Sequence, residues 1–383
     1  MADNHYEARR WSRSDWLFVA GLVVLALGVR LAAGPRTIDD AYITFRYARN
    51  LARGLGFAYN PGHPILGTTT PLSTGLMSSA YLLGFPELPS VAWLLNALAD
   101  AVTVGLLYWF GKRVSDSRIV AAGAGLAWAL SPMSVTFAIG GMETSVVILF
   151  LVGSFSAYVA GRSRLGAGLM ALAVLTRPDA LIAAGLLFAD MALRPLLSRE
   201  GGSFAGRLRR LPWIEGAIFC AILLPWILFA STYFGSPLPQ SVQAKVRAYN
   251  LPELATLIRM IQHLATPFFE HEIFGRFWPA VGFPLYLFLY LIGGLRMVRG
   301  ASRTWPVALY PLVYVAVFSV ANAPVFRWYL APPLPAYFLG ILLGLHAILA
   351  GLASRLGREQ LGDWALALLV VTLLAFSLND YVV

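Results

Sequence analysis

Apolar residues run in long blocks along almost the whole chain, separated by short polar stretches rich in arginine. The blocks fall at 16–34, 90–110, 118–138, 143–160, 164–176, 178–194, 213–234, 278–296, 304–321, 328–350 and 364–380. Each approaches the ~20 residues that a helix needs to cross the hydrocarbon core. The pattern predicts an all-α polytopic membrane protein with about 11 transmembrane helices plus interfacial helices in the first loop. One further stretch, TPLSTGLMSSAYLLGF at 70–85, is apolar but carries several hydroxyls. From its pattern alone it fits either a crossing or a helix lying along the membrane.

The distribution of arginine and lysine separates those two readings, because cytoplasmic loops carry the excess of basic residues. With residues 1–15 as a cytoplasmic tail and 70–85 in the interface, most basic residues fall in cytoplasmic loops. They include Lys112, Arg113 and Arg118, the arginines from 194 to 210, and Arg296, Arg299 and Arg303. A crossing at 70–85 would turn every later basic loop outward. The interfacial placement is therefore expected. Residues 16–383 then form a single membrane domain, with external loops 35–89 and 235–277 making its active face. The first span is expected to stay uncleaved, since no small-residue cleavage site follows it. No separate soluble C-terminal domain is expected.

Composition agrees with a membrane protein: 58% of residues are hydrophobic, 13% are charged and mean hydropathy is +0.68. The net charge of +10 sits in short loops between apolar blocks. That is the pattern of membrane orientation rather than of nucleic-acid binding. Cys220 is the only cysteine and lies inside an apolar block, so neither a disulfide framework nor a thiolate metal site is expected.

This topology puts every unusual polar motif on the external face: DDAYITFRYARN (39–50), GTTTP (67–71), GGMET (140–144), LTRPDAL (175–181), SPLPQSVQAKVR (236–247) and PVFRWYL (324–330). Convergence of polar groups at one end of an apolar bundle marks a site. After Asp40 the chain reads as an amphipathic helix. Ala41, Phe45, Ala48 and Ala52 form one stripe, and Arg46, Arg49 and Arg53 another. Such a helix lies in the membrane interface, where arginine meets phosphate. One of Asp39 and Asp40 is explained by capping that helix. A cap does not explain both, because adjacent carboxylates at a membrane boundary repel each other and lose hydration.

These motifs resemble the polytopic glycosyltransferases of the GT-C fold that use polyprenyl-phosphate sugars. The likeness is nearest to the bacterial branch containing the mycobacterial terminal arabinofuranosyltransferase and related membrane mannosyltransferases. It rests on DDAYITFRYARNLARGLGFAYNPG followed by GTTTPL, then GGMETSV, LTRPDAL, PLPQSVQAK and FRWYL, in the same order along most of the chain. The chain departs from that pattern at Asp179, where Glu is usual, and at Gln240, where Asn is usual. The resemblance implies an inverting transfer of sugar to an acceptor hydroxyl on the periplasmic side of a bacterial inner membrane. A glycan, a lipid or a protein could supply the acceptor. Asp39 or Asp40 would be the general base, with the choice between them open. Arg327, Lys245, Arg46 and Arg177 would bind donor phosphate, and Glu143, Thr69, Gln240 and Tyr42 would bind sugar or acceptor. Competing structural readings are an ion pair of Arg177 with Asp179, headgroup anchoring for Arg327, and helix capping by the threonines.

No cofactor is required for such a reaction. A divalent metal at the aspartates is chemically possible, because hard cations choose carboxylates. His263, His271, Glu270 and Glu272 lie close in sequence without zinc spacing. The alternative class is a lipid or sugar transporter. It predicts two pseudo-symmetric halves with broken helices at mid-membrane, and the sequence shows no such repeat.

Overall fold

The computed structural model describes residues 11–197, 203–241 and 251–379. The described part is all-helical. In chain order the helices are α1 (Arg13–Ala33), α2 (Ala41–Ala52), α3 (Pro71–Leu82), α4 (Leu88–Ser115), α5 (Arg118–Ala129), α6 (Pro132–Ile139), α7 (Thr144–Val159) and α8 (Ser163–Thr176). There follow α9 (Leu181–Leu197), α10 (Phe204–Arg209), α11 (Trp213–Phe234), α12 (Ala255–Leu264), α13 (His271–Phe274), α14 (Trp278–Gly300), α15 (Trp305–Ala321), α16 (Leu334–Arg355) and α17 (Glu359–Asn379). Short 3-10 turns lie at Pro178–Ala180 and Arg327–Tyr329.

Every apolar block predicted from sequence falls on a helix. Among the described residues seven helical stretches are long and apolar enough to span a membrane, and α5 with α6, bent by 47°, makes an eighth. The apolar helices α7, α8 and α15 are shorter, at 16, 14 and 17 residues. The ambiguous 70–85 stretch becomes α3, whose 12 residues extend only ~18 Å at helical rise. That length is well short of the ~30 Å hydrocarbon core.

The bend between α5 and α6 follows from Pro132. Proline has no N–H to donate and clashes with the preceding turn, so the helix stops and restarts. A buried ion pair straddles this break. Arg30, in the last turn of α1, donates through Nε to Asp100 of α4 at 2.9 Å, and both side chains are 0% exposed. Arg30 also reaches the Ala129 carbonyl at 2.7 Å and the Ser134 hydroxyl. Trp128 Nε1 donates to the other Asp100 oxygen at 3.1 Å.

Elsewhere the bundle packs backbone against backbone. A Cβ added at Gly293 of α14 would overlap the Gly340 carbonyl of α16, and one at Gly344 would overlap the Leu289 carbonyl. Helix α11 sits at the edge of the bundle: Ala230 is its only buried residue, and Cys220 is exposed. Its end docks through Trp226, Ala230 and Phe234 onto Tyr47, Phe57 and Leu66 of the first loop.

Candidate active site

The Asp39–Asp40 turn is held by backbone pairing to the end of α6. Arg36 and Ile38 donate their N–H groups to the carbonyls of Ile139 and Gly140, both at 2.9 Å. This approach requires glycine at 140, because a Cβ there would lie 2.6 Å from Ile38 Cδ1 and 2.8 Å from the Thr136 carbonyl. Gly141 follows with φ +75°, and its Cβ would meet the Phe45 ring at 3.3 Å. The GGMET motif is thus the seat on which the Asp pair and α2 rest.

The two aspartates differ. Asp39 is exposed, and its Oδ1 accepts the Asp40 N–H at 2.9 Å. Asp40 immediately precedes Ala41, the first residue of α2, yet its side chain makes no capping bond. Among the described residues its carboxylate has no hydrogen-bond partner.

Glu143 lies in the turn ahead of α7. It lines an open cleft of about 300 Å³ with Thr44, Ser73, Asn96 and the apolar side chains of Phe45 and Met77. Asn96 Nδ2 donates to the Met142 carbonyl at 2.7 Å and pins this turn to α4. Burial pushes the Glu143 carboxyl above its usual range; the Arg177 cation opposes the rise, and the charges of Asp179 and Asp40 add to it. Residues from two distant motifs therefore act on one carboxyl.

Arg177 is 2% exposed. Its guanidinium meets Asp179 in a fork, at 3.0 Å from Nε and 2.8 Å from Nη2, and donates to the Trp328 carbonyl at 3.2 Å. It also lies 4.7 Å from the centre of the Tyr329 ring, and Tyr314 donates its hydroxyl to Asp179 at 2.7 Å. Burial works against the Arg177 charge, but Asp179 outweighs it and raises the pKa further. The ion-pair reading of Arg177 is the one observed, and the fork to Asp179 occupies two of its three nitrogens.

Arg327 is exposed at the start of its 3-10 turn, and Phe326 stacks on Trp328 with ring centres 4.9 Å apart. Trp328 packs against the cluster formed by Ala41, Phe45, Met77, Ala92 and Met142. Arg327 therefore belongs to the face that carries the Asp pair. His263 of α12 bonds the Leu330 backbone just after this turn, and burial lowers its pKa to about 4. Its Nε2 is buried without a hydrogen-bond partner.

The other predicted residues serve the loop scaffold. Arg46 is held by its own loop: its Nε donates to the Tyr59 carbonyl at 2.8 Å, Nη2 to Asn60 at 3.2 Å, and its guanidinium lies over the Tyr59 ring. It fastens its own loop, because that loop folds back over α2. The capping reading of the threonines is corrected. Thr70 precedes α3 without capping it; its hydroxyl pairs with Thr44 at 3.1 Å and Thr68 at 3.0 Å, tying α3 to α2. Thr69 is half-buried beside them, and Tyr42 is exposed and edge-on to Phe45. Gln240 donates its backbone N–H to the Leu66 carbonyl at 2.9 Å, joining SPLPQ to GTTTP, while its side chain is exposed. Lys245 lies outside the described residues.

Among the described residues no group of three or more His, Cys, Asp and Glu side chains is arranged to hold a metal. Glu270 is 0% exposed and accepts from Tyr286, and His271 faces Glu272 at 3.2 Å. Sequence reasoning did not single out Asn96, Ser73, Tyr314, or the Arg30–Asp100 pair.

In sequence, no family model matches the chain and no curated protein matches it. In structure it matches helical membrane glycosyltransferases of the GT-C fold, and it is an all-α multi-pass membrane protein of that architecture. ArnT from Cupriavidus metallidurans bound to undecaprenyl phosphate superposes with a TM-score of 0.53 at 18% identity, over 97% of this chain and 72% of ArnT. The oligosaccharyltransferase AglB from Archaeoglobus fulgidus, in complex with an inhibitory peptide and a dolichol-phosphate, gives 0.57 at 13% identity, over 96% of this chain. The chain spans 55% of that AglB chain.

Proposed function

We propose that the protein is an inverting glycosyltransferase that moves a sugar from a polyprenyl-phosphate donor to an acceptor hydroxyl, with Asp40 as general base. The observation that carries this reading is the Asp40 carboxylate. It has no hydrogen-bond partner among the described residues and acts on Glu143, while Asp39 spends an oxygen on the turn. A base must have an open lone pair to take the acceptor proton. The acceptor oxygen attacks the anomeric carbon as Asp40 removes its proton. The bond to phosphate breaks, and the electron pair leaves on the lipid phosphate. One displacement inverts the anomeric centre.

Arg327 and Lys245 neutralise the departing phosphate, and Glu143 orients an acceptor hydroxyl in the cleft. Thr69, Gln240 and Tyr42 bind sugar or acceptor. Arg177 holds the Trp328 turn in place. The phosphates bound by ArnT and AglB, undecaprenyl phosphate and dolichol-phosphate, support a lipid-phosphate donor here. The motif resemblance favours arabinofuranose or mannose as the sugar. The basic loops at the opposite end favour a bacterial inner membrane with this face in the periplasm.

The test is turnover of polyprenyl-phosphate sugars by purified protein in detergent, with product stereochemistry read by NMR. Inverted product, loss of turnover in Asp40→Asn, and a donor KM raised about tenfold in Arg327→Ala are expected. Retained anomeric configuration would overturn the reading.

A further inference from the structure

We propose that the buried Arg30–Asp100 pair is a positioning device. It fixes the angle of the α5–α6 break and, through that break, the placement of Asp40 against Glu143. The assignment of those two carboxylates rests on the function proposed above; the mechanical part does not.

A buried ion pair loses hydration on both partners, and apolar replacements of similar volume are commonly as stable. Bundle stability alone therefore gives no reason to keep one here. The geometry points to what it does instead. Arg30 makes contacts on both sides of the break: the Ala129 carbonyl before it at 2.7 Å, and the Ser134 hydroxyl after it. The break leaves carbonyls at the end of α5 without helical partners, and Arg30 supplies a donor to one of them. Asp100 mirrors the arrangement. It accepts from Trp128 before the break at 3.1 Å and from Ser134 after it at 3.2 Å. Both ends of the broken span are thereby referred to α1 and α4.

Helix α6 is eight residues long, so its direction decides where its last carbonyls point. Those carbonyls, from Ile139 and Gly140, receive the amides of Arg36 and Ile38. Asp39 follows in one chain, and Glu143 lies three residues past Gly140 in the other. Asn96, one turn before Asp100 on α4, holds the Met142 carbonyl at 2.7 Å. The same stretch of α4 thus anchors the break and the Glu143 turn.

Two variants test the device in full-length protein, with wild type as reference: Arg30→Lys, and the apolar double variant Arg30→Met with Asp100→Leu. Lysine keeps the charge opposite Asp100 but lacks the fork that reaches Ala129 and Ser134 together. Hydrogen exchange of the 34–40 segment is the readout independent of activity, since it reports the Arg36 and Ile38 amides. Both variants should fold and show at least fivefold faster exchange there, with exchange in Leu334–Arg355 unchanged. Both should lower kcat at least tenfold while donor KM stays within twofold. Native exchange at 34–40 in the double variant would overturn the proposal, as would native kcat in Arg30→Lys. Wild type that turns over no lipid-phosphate sugar, with exchange still raised in the variants, would sink the enzymatic reading and leave the mechanical one standing.

Discussion

The Asp40 amide donates to Oδ1 of Asp39 at 2.9 Å, and that bond gives two adjacent carboxylates different jobs. Asp39 stabilises the turn into α2, and Asp40 keeps both oxygens open. Asp40→Asn is expected to lower kcat by about 100- to 10,000-fold, the usual size of a general-base contribution. Asp39→Asn retains an acceptor oxygen and should stay within about threefold of wild type, while Asp39→Ala should cost ~0.5–2 kcal/mol of stability. Single-turnover kinetics and thermal unfolding of the three variants distinguish the roles; equal losses in both asparagine variants would contradict this division.

The Arg177–Asp179 fork makes a stability prediction. Asp179→Ala leaves a guanidinium buried and unpaired, at a cost of about 3–5 kcal/mol. Removing the Tyr314 hydroxyl with Tyr314→Phe deletes one bond to the same carboxylate and should cost only ~1–3 kcal/mol. Thermal denaturation in detergent should rank the two in that order. The reverse order would mean that Arg177 finds another partner.

Gly141 adopts a left-handed backbone at φ +75° against Phe45. Gly141→Ala is expected to cost ~1–3 kcal/mol in backbone strain and to disturb α2 at the point where Asp40 starts it. Gly140→Ala should act more strongly on turnover than on folding, because its methyl displaces Ile38 rather than twisting the backbone. Parallel melting and kcat measurements on the two alanine variants separate these effects.

His263 gives a pH dependence. Its folded pKa of about 4 lies below the ordinary histidine value of 6.5, so the unfolded chain binds the proton more tightly. Stability should therefore be fully present above pH 6.5 and decline as pH falls toward 4. His263→Leu should flatten that part of the curve, read as midpoint against pH. Glu270 shifts upward by burial and acts in the opposite sense, losing stability as pH rises above the usual carboxylate range. An unchanged slope in His263→Leu would show that the imidazole is not what titrates.

Much of the fold was legible because a bilayer imposes long apolar runs, and periodicity detects those directly. The 70–85 stretch forms the 12-residue helix α3; its interfacial placement was argued from the side the arginines take rather than from local hydropathy. The Asp pair, GGMET, LTRPD and FRWYL motifs, far apart along the chain, meet near α2. The contacts of Arg46 were not legible, because nothing in its helical stripe reveals that Tyr59 and Asn60 fold back onto it. Arg30 and Asp100 were passed over for a related reason. They are seventy positions apart, and inside otherwise ordinary apolar spans each looks like an isolated anomaly. Polar pairing across helices is a property of the assembled bundle, and no spacing along one helix encodes it.

Gly293 against the Gly340 carbonyl, and Gly344 against that of Leu289, bring the backbones of α14 and α16 into close contact. Between those two axes a single methyl group is already too much, so substitution there is limited by volume and not by chemistry.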